Sequence, residues 1–347
     1  MRILNIEKGA PSKDILDLLN NNIIGTPGKS LVYQHQTTSD KLAFVKEPVF
    51  LSVRLGGKVI GTAAFLPRQV SWQGDEMPAF YIRYFAFRNA FRSKSDALKK
   101  LEKQSVLKTE IHEVLTGVPL DLKGKHLFYA YVDPGNIRSS RLIESFGFEQ
   151  VGTFKTVFFS RFFPKRNSSV SRLKEEDKPE VLGQLRTGNR TLDFFFTENL
   201  GFKDNYFVYK EGGEIVAGVQ ANAEHWKVHE IPGGKNLINI VSSIPLLNKL
   251  FNKEFRFVSL EGLFVKVGHE HVVEKLLEHV LGEHQRNTAI ICLDANDKLY
   301  QLFHQMNRGF IRFLSDEKEM AVVAKLNGFA KKASGQRPVY VSALDNM

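Results

Sequence analysis

Phe85-Ala86-Phe87-Arg88-Asn89-Ala90-Phe91 runs directly into Arg92-Ser93-Lys94-Ser95-Asp96-Ala97. The first run is aromatic and reads as the end of a β-strand. The second is small, polar and basic, and reads as a turn that opens a helix. Such a turn leaves free backbone N–H groups at the helix start, a ready seat for an anion. Small side chains at Ser95 and Ala97 let an anion approach the backbone, while Arg92 and Lys94 add positive charge. Ser95 would equally serve as a helix N-cap with no ligand present. Farther on, Asn136 precedes Gly147-Phe148 by eleven and twelve residues, with Arg138, Ser139, Leu142, Ile143 and Phe146 forming a short helix between them. Following Pro134-Gly135, Asn136 also reads as a plain turn residue.

Outward from this stretch the chain is written twice. Val49–Leu55 leads through Gly56-Gly57 into Lys58–Phe65, and Tyr206–Glu211 leads through Gly212-Gly213 into Glu214–Val219. Gly-Gly between β-rich runs signals a hairpin, because a tight turn needs positive φ. After each hairpin the order repeats. A strand (Ala79–Phe87; Phe255–Val267) precedes a long helix (Ser95 to Leu115; Glu270 to Leu281). A second strand (His126–Val132; Thr288–Leu293) precedes a short helix closing on Gly147-Phe148 or Gly309-Phe310. Each half ends in a strand, Thr156–Phe163 and Met320–Leu326. The Gly-Gly pairs lie 156 residues apart and the Gly-Phe pairs 162 apart, which points to a duplicated unit. The polar join Pro164-Lys165-Arg166-Asn167-Ser168-Ser169 divides the chain into residues 1–165 and 166–347.

The helix with Val272, Val273, Leu276, Leu277 and Val280 has one apolar face at helical spacing, which reads as core. Leu237 to Leu250 also reads as helix, interrupted at Pro245, and Arg337 to Leu344 as a late strand. With 43% hydrophobic and 25% charged residues the chain is globular, and its 28 Phe residues call for aromatic-filled cores. No apolar run is long enough to span a membrane and no signal peptide is visible. The one cysteine, Cys292, sits in a β-rich apolar run and reads as a buried hydrophobe, and cytoplasm is the expected address. The net charge of +10 is scattered, and Lys94, Lys99, Lys100, Lys103 and Lys108 alternate with Glu102 and Glu110 as on a solvated helix face. No motif supports nucleic-acid recognition. His269 and His271 stand at i, i+2 and do not share a helix face, so no metal site is expected.

The strand order, Gly-Gly hairpin, long helix and Gly-Phe ending resemble the GNAT acetyltransferases, over most of the chain for fold and over roughly residues 80–150 for specific motifs. The resemblance implies an α/β (α+β) chain of two tandem GNAT-like domains, each a mixed, mostly antiparallel sheet flanked by helices. Arg92-x-x-Ser95-x-Ala97 resembles the family's Arg/Gln-x-x-Gly-x-Gly/Ala loop, with Ser for the first Gly. That loop implies acetyl-CoA or another acyl-CoA as cofactor, held by Phe85, Phe87, Arg92, Ser93, Lys94, Ser95, Asp96 and Ala97, with Asn136 on the pantetheine arm. The activity implied is transfer of the acyl group to the amine of a small molecule or peptide, the thioester oxygen polarised by a backbone N–H near Phe87.

The family's usual Tyr, four residues before the glycine, is Ile143 here, leaving Tyr84 and Tyr131 as candidate acids. Asp133, His112 and Glu110 qualify as bases by residue type alone and read as solvated surface groups. Ile143 also admits a non-catalytic acyl-CoA or ligand-binding protein, and a third reading transfers aminoacyl groups to cell-wall or lipid precursors. In the second half Lys266-Val267-Gly268-His269-Glu270-His271-Val272 replaces the loop with bulky and acidic residues, so that half is expected to be degenerate. The acceptor pocket is expected along a loop from Leu66 to Pro78 and the helices of the second half, with Arg68, Trp72, Asp75 and Trp226 as lining.

Overall fold

The computed structural model describes residues 3–88, 103–232, 238–239, 242–313, 317–329 and 337–346. The chain runs β1 (Leu4–Lys8), α1 (Lys13–Asn20), β2 (Val32–His35), α2 (Thr38–Phe44), β3 (Val49–Leu55), β4 (Lys58–Trp72) and β5 (Asp75–Phe87). It continues through α3 (Lys103–Val114), β6 (His126–Val132), α4 (Ile137–Glu144) and β7 (Glu149–Ser160). Beyond the join come β8 (Val170–Arg172), α5 (Lys178–Gly188), β9 (Tyr206–Glu211), β10 (Glu214–Glu230), α6 (Pro245–Leu250) and β11 (Glu254–Val265). The last elements are α7 (Val273–His284), β12 (Thr288–Leu293), α8 (Lys298–Gln305), β13 (Glu319–Asn327) and α9 (Ala343–Asn346).

Both Gly-Gly turns form as expected. Gly56 and Gly57 have φ of 56° and 77°, and Gly212 and Gly213 have 58° and 89°, the positive values a two-residue hairpin turn requires. The stretch from Leu66 to Pro78, expected as a loop, is instead the outer part of a long β4–β5 hairpin that turns at Gln73-Gly74. Pro67 and Pro78 obscured it, since proline argues against a strand; yet both are paired in register, with Phe80 and Gln69. The C-terminal stretch makes only isolated bridges at Val339 and Tyr340 before α9.

All thirteen strands named here join one mixed sheet, in the order β1-β3-β4-β5-β6-β13-β7-β12-β11-β10-β9-β8, with β2 added on β10. Only β5–β6 and β11–β12 pair in parallel; the other pairings are antiparallel. At the centre the chain crosses over itself. β7 pairs with β12 and β13, both from beyond residue 166, while β13 pairs with β6 and β7, both from before it.

Four apolar clusters hold the described helices to the sheet, the smallest packing Val181 and Leu185 of α5 on Val208 and Ile215. One joins Phe65, Phe80 and Phe128 to Val114 of α3 and to Phe146 and Phe148 after α4. Another packs the α7 face of Val273, Leu276, Leu277 and Val280 on Phe159 and Phe207. The largest lies between the halves and includes Phe50, Trp72, Tyr129, Phe154, Phe194, Trp226 and Phe257. Trp72 and Trp226 are therefore core residues, Trp72 against Phe194 and Trp226 stacked on Tyr33.

Candidate functional site

Two strands that pair in parallel and then separate open a cleft in a sheet. β5 and β6 pair only over Ala79–Tyr81 with Leu127–Tyr129, although β5 runs on to Phe87 and β6 to Val132. Past Tyr81, β5 stays with β4, and Arg88 closes the pair by donating its backbone N–H to Ile60 O and its Nε to Val59 O. The gap between β5 and β6 is therefore built into the sheet.

Along the gap β5 carries a β-bulge. Its register jumps from Ala64↔Arg83 to Thr62↔Ala86, so Tyr84 and Phe85 face a single residue of β4. Tyr84 adopts φ 58°, uncommon for a bulky residue. A bulge leaves a residue outside the ladder and re-aims its peptide groups, a device common beside functional sites. The backbone N–H expected near Phe87 is better sought here, because Phe87 pairs in register with Gly61 and its ring lies over that glycine. Phe85 is 58% exposed beside the gap and meets Phe87 edge-on.

The other residues marked in the sequence distribute as follows. Arg92, Ser93, Lys94, Ser95, Asp96 and Ala97 lie outside the described residues. Asn136 is the N-cap of α4, its Oδ1 accepting from the Ser139 N–H at 3.2 Å. Tyr84 is covered by the Arg83 guanidinium, 4.5 Å from the ring centre, and burial raises its phenol pKa. Tyr131 packs between Tyr81 and Phe154, and burial pushes its phenol well above the ordinary range. Glu110 is no solvated group: it is buried and accepts the backbone N–H groups of Ile3 and Leu4, tying α3 to β1. Asp133 pairs with Lys318 at 2.7 Å, and His112 is exposed. Cys292 is buried and its thiol is pushed up to about 12, which makes it a poor nucleophile.

Sequence reasoning missed a buried polar cluster at the inner end of the gap, assembled from residues far apart in the chain. Arg83 donates to the Leu344 carbonyl at 2.9 Å, and Tyr81 Oη to that of Asp345 at 3.4 Å, so α9 sits against β5. Arg68 makes an ion pair with Asp345 at 3.0 Å, both buried, and lies over Phe196. From α2, Lys41 pairs with Glu224 of β10 at 2.8 Å, with almost no exposure on either side. Burial pulls the Lys41 ammonium down to about 8 against the pull of Glu224, with Arg83 adding to the fall.

On the far side Glu261 accepts from Ser342 Oγ at 2.5 Å, and that hydroxyl accepts from Asn199. Burial, with Asp345 nearby, raises the Glu261 carboxyl to about 7. The Tyr129 hydroxyl and Glu261 Oε1 have no hydrogen-bond partner among the described residues. Buried polar atoms left open in this way mark a place where a further polar group would be welcome.

No protein-family model and no curated protein sequence matches this chain. Among solved structures it is similar to Saccharomyces cerevisiae N-myristoyltransferase with bound myristoyl-CoA, at a TM-score of 0.59 and 12% identity over 100% of this chain and 84% of that one. A structure of the same yeast enzyme with myristoyl-CoA and inhibitors matches at a TM-score of 0.59 and 12% identity, covering 99% and 85%. At this identity the likeness is one of fold: a large, mostly antiparallel mixed sheet flanked by helices. Among the described residues no helix is long and apolar enough to cross a membrane.

Proposed function

We propose that this chain is a cytoplasmic acyl-CoA-dependent N-acyltransferase, with residues 1–165 as the acyl-CoA-binding unit and 166–347 as a degenerate second copy. The observation that carries this reading is the gap between β5 and β6 with the Tyr84–Phe85 bulge on its edge, in a GNAT-like fold. The acyl-CoA would lie in the gap, its pyrophosphate at Arg92–Ala97, its pantetheine arm against Phe85 and near Asn136, and its thioester at the bulge. A backbone N–H at the bulge would polarise the thioester oxygen. The structurally similar yeast enzyme is seen with bound myristoyl-CoA, and the sequence motifs suggested acetyl-CoA, so the acyl chain is left to the test below.

The buried polar cluster would suit the amine side of the reaction. A nucleophilic amine must lose its ammonium proton, and burial beside cations favours the neutral form. Lys41 reports that field directly, since its own amine is pulled down to about 8. An acceptor amine from a small molecule or a peptide, held next to Arg83, would be shifted in the same sense. Glu261, raised to about 7, lies beside the tail segment Val339–Val341 and is not placed to take that amine's proton. Tyr84 and Tyr131 are poor acids, because phenols pushed above 10 do not readily protonate a thiolate whose ordinary pKa is about 8.5. The departing CoA thiolate would take its proton from solvent after it has left the gap.

Calorimetry with CoA and with acyl-CoA thioesters from acetyl to myristoyl tests the cofactor site. Saturable binding is expected, weakened at least about tenfold by Arg92→Glu, which adds a negative charge where the pyrophosphate would sit. Thiol release over a panel of amines and peptide N-termini then tests transfer. Absence of binding by every thioester ends the proposal, and tight binding with no thiol release would point instead to a non-catalytic acyl-CoA-binding protein.

A further inference from the structure

The second half has a gap of its own. β11 and β12 pair in parallel only over Val258–Leu260 with Ala289–Ile291, while β11 runs on to Val265 and β12 to Leu293. β11 also carries a bulge at the matching place: its register against β10 jumps from Gln220↔Glu261 to Gly218↔Phe264. Gly262 there has φ 55°, against 58° for Tyr84 in the first half. Both halves therefore contain the same split strand pair with the same kinked edge.

The second gap is full. Val339 donates its backbone N–H to Asp294 Oδ2 at 3.0 Å, just past the end of β12, and Tyr340 bridges to Leu293. The neighbouring loop grips the same segment, with Asp193 N–H donating to Pro338 O at 2.9 Å and Tyr340 N–H to Asp193 O at 2.8 Å. The Tyr340 ring stands edge-on to Phe195 and Phe196, and its hydroxyl hydrogen-bonds the backbone of Gly262 at the bulge. Val339 and Val341 are buried, and the cavity left beside them is about 20 Å³, room for about one water.

We infer that Pro338–Val341 is an intramolecular occupant of the second gap, seated where the first gap would take the pantetheine arm, so that the chain binds one acyl-CoA and not two. The stoichiometry rests on the function proposed above; the seating does not. The seat also explains how α9 reaches the first gap: it begins two residues after Val341, and the segment held in one half thereby delivers Leu344 and Asp345 to Arg83 and Arg68 of the other.

Hydrogen exchange on the full chain tests the seating without any cofactor. The amides of Val339 and Tyr340 are expected to exchange at least about 10³-fold more slowly than in a free peptide, as core strands do. Exchange within about tenfold of the free-peptide rate would overturn the inference. Asp294→Ala removes the Val339 acceptor and is expected to speed exchange at that amide about tenfold or more, with Leu127–Tyr129 of β6 unchanged; an equal rise at both sites would show no local seat. Tyr340→Phe, which loses only the hydroxyl at Gly262, serves if Asp294→Ala does not fold. Native mass spectrometry with excess CoA should give one CoA per chain, and two would overturn the inference. Protected tail amides in a chain that takes up no CoA would end the cofactor reading and leave the seat standing.

Discussion

Glu261 is 2% exposed, on a strand whose neighbours are apolar, and one of its oxygens has no partner among the described residues. Its carboxyl stands at about 7 against an ordinary 4.5 because burial penalises the charged form. The consequence for stability has a definite sign. Between pH 4.5 and about 7 the folded chain binds a proton at Glu261 that the unfolded chain has released, so this residue's contribution is complete below 4.5 and is lost as pH rises to about 7. Glu261→Gln keeps the shape and the bond to Ser342 and removes the titration. Relative to the parent chain, the variant is expected to gain on the order of 3 kcal/mol between pH 4 and pH 8. Urea melts of both chains across that range measure the difference, which cancels the other titrating groups. A constant gap between the two curves would mean that the Glu261 carboxyl is not shifted by burial. The residue gave no signal in the sequence: a single Glu in a strand becomes notable only once Ser342 and Asn199, both distant in the chain, are brought to it.

At the scale of strands, each half packs a glycine against a phenylalanine beside its bulge. A Cβ on Gly61 would collide with the Phe87 ring, and one on Gly218 with Phe264 and Tyr206. Gly61 pairs with Phe87 across β4 and β5, and Gly218 with Phe264 across β10 and β11. Neither glycine has a positive φ, so space alone demands the small residue. Gly61→Ala and Gly218→Ala should each cost about 1–3 kcal/mol of stability from overpacking, read from urea melts. Calorimetry then separates them: Gly61→Ala should also weaken CoA binding, because Phe87 is displaced beside Phe85 and the bulge, whereas Gly218→Ala should leave it unchanged. Equal losses of affinity would argue against a cofactor site confined to the first gap. These elements were largely legible beforehand, since Gly-Gly turns and alternating apolar runs are local patterns, and β6 and β12 begin and end where the sequence placed them. The bulges were not, for a bulge is a mismatch between two strands and neither strand shows it alone.

Across the whole molecule, the order of elements read twice in the sequence gave no hint that strands from either side of residue 166 pair with each other. The Gly-Gly and Gly-Phe spacings fix the order of elements within each half, but partner choice at the centre depends on side chains contributed by both. Among the described residues β7 has no strand neighbour from its own half, and β13 has none from its own. β2 likewise pairs with β10, and the buried ion pairs Lys41–Glu224 and Arg68–Asp345 each join residues on opposite sides of the join. Separating the halves would strip both ladders from a twelve-residue strand, β7, and break two buried ion pairs. An unpaired buried charge costs about 3–5 kcal/mol, and the margin of a typical domain is only about 5–15. Residues 1–165 and 166–347 produced separately should therefore fail to fold, showing no protected amides in β6 or β12, while co-production should recover a 1:1 complex. The intact chain should unfold in a single transition in which tryptophan fluorescence and far-UV circular dichroism coincide, since Trp72 and Trp226 report from the shared core. A half that folds alone with a cooperative melt would show that the exchanged strands are dispensable, and that the boundary near residue 165 separates two autonomous units after all.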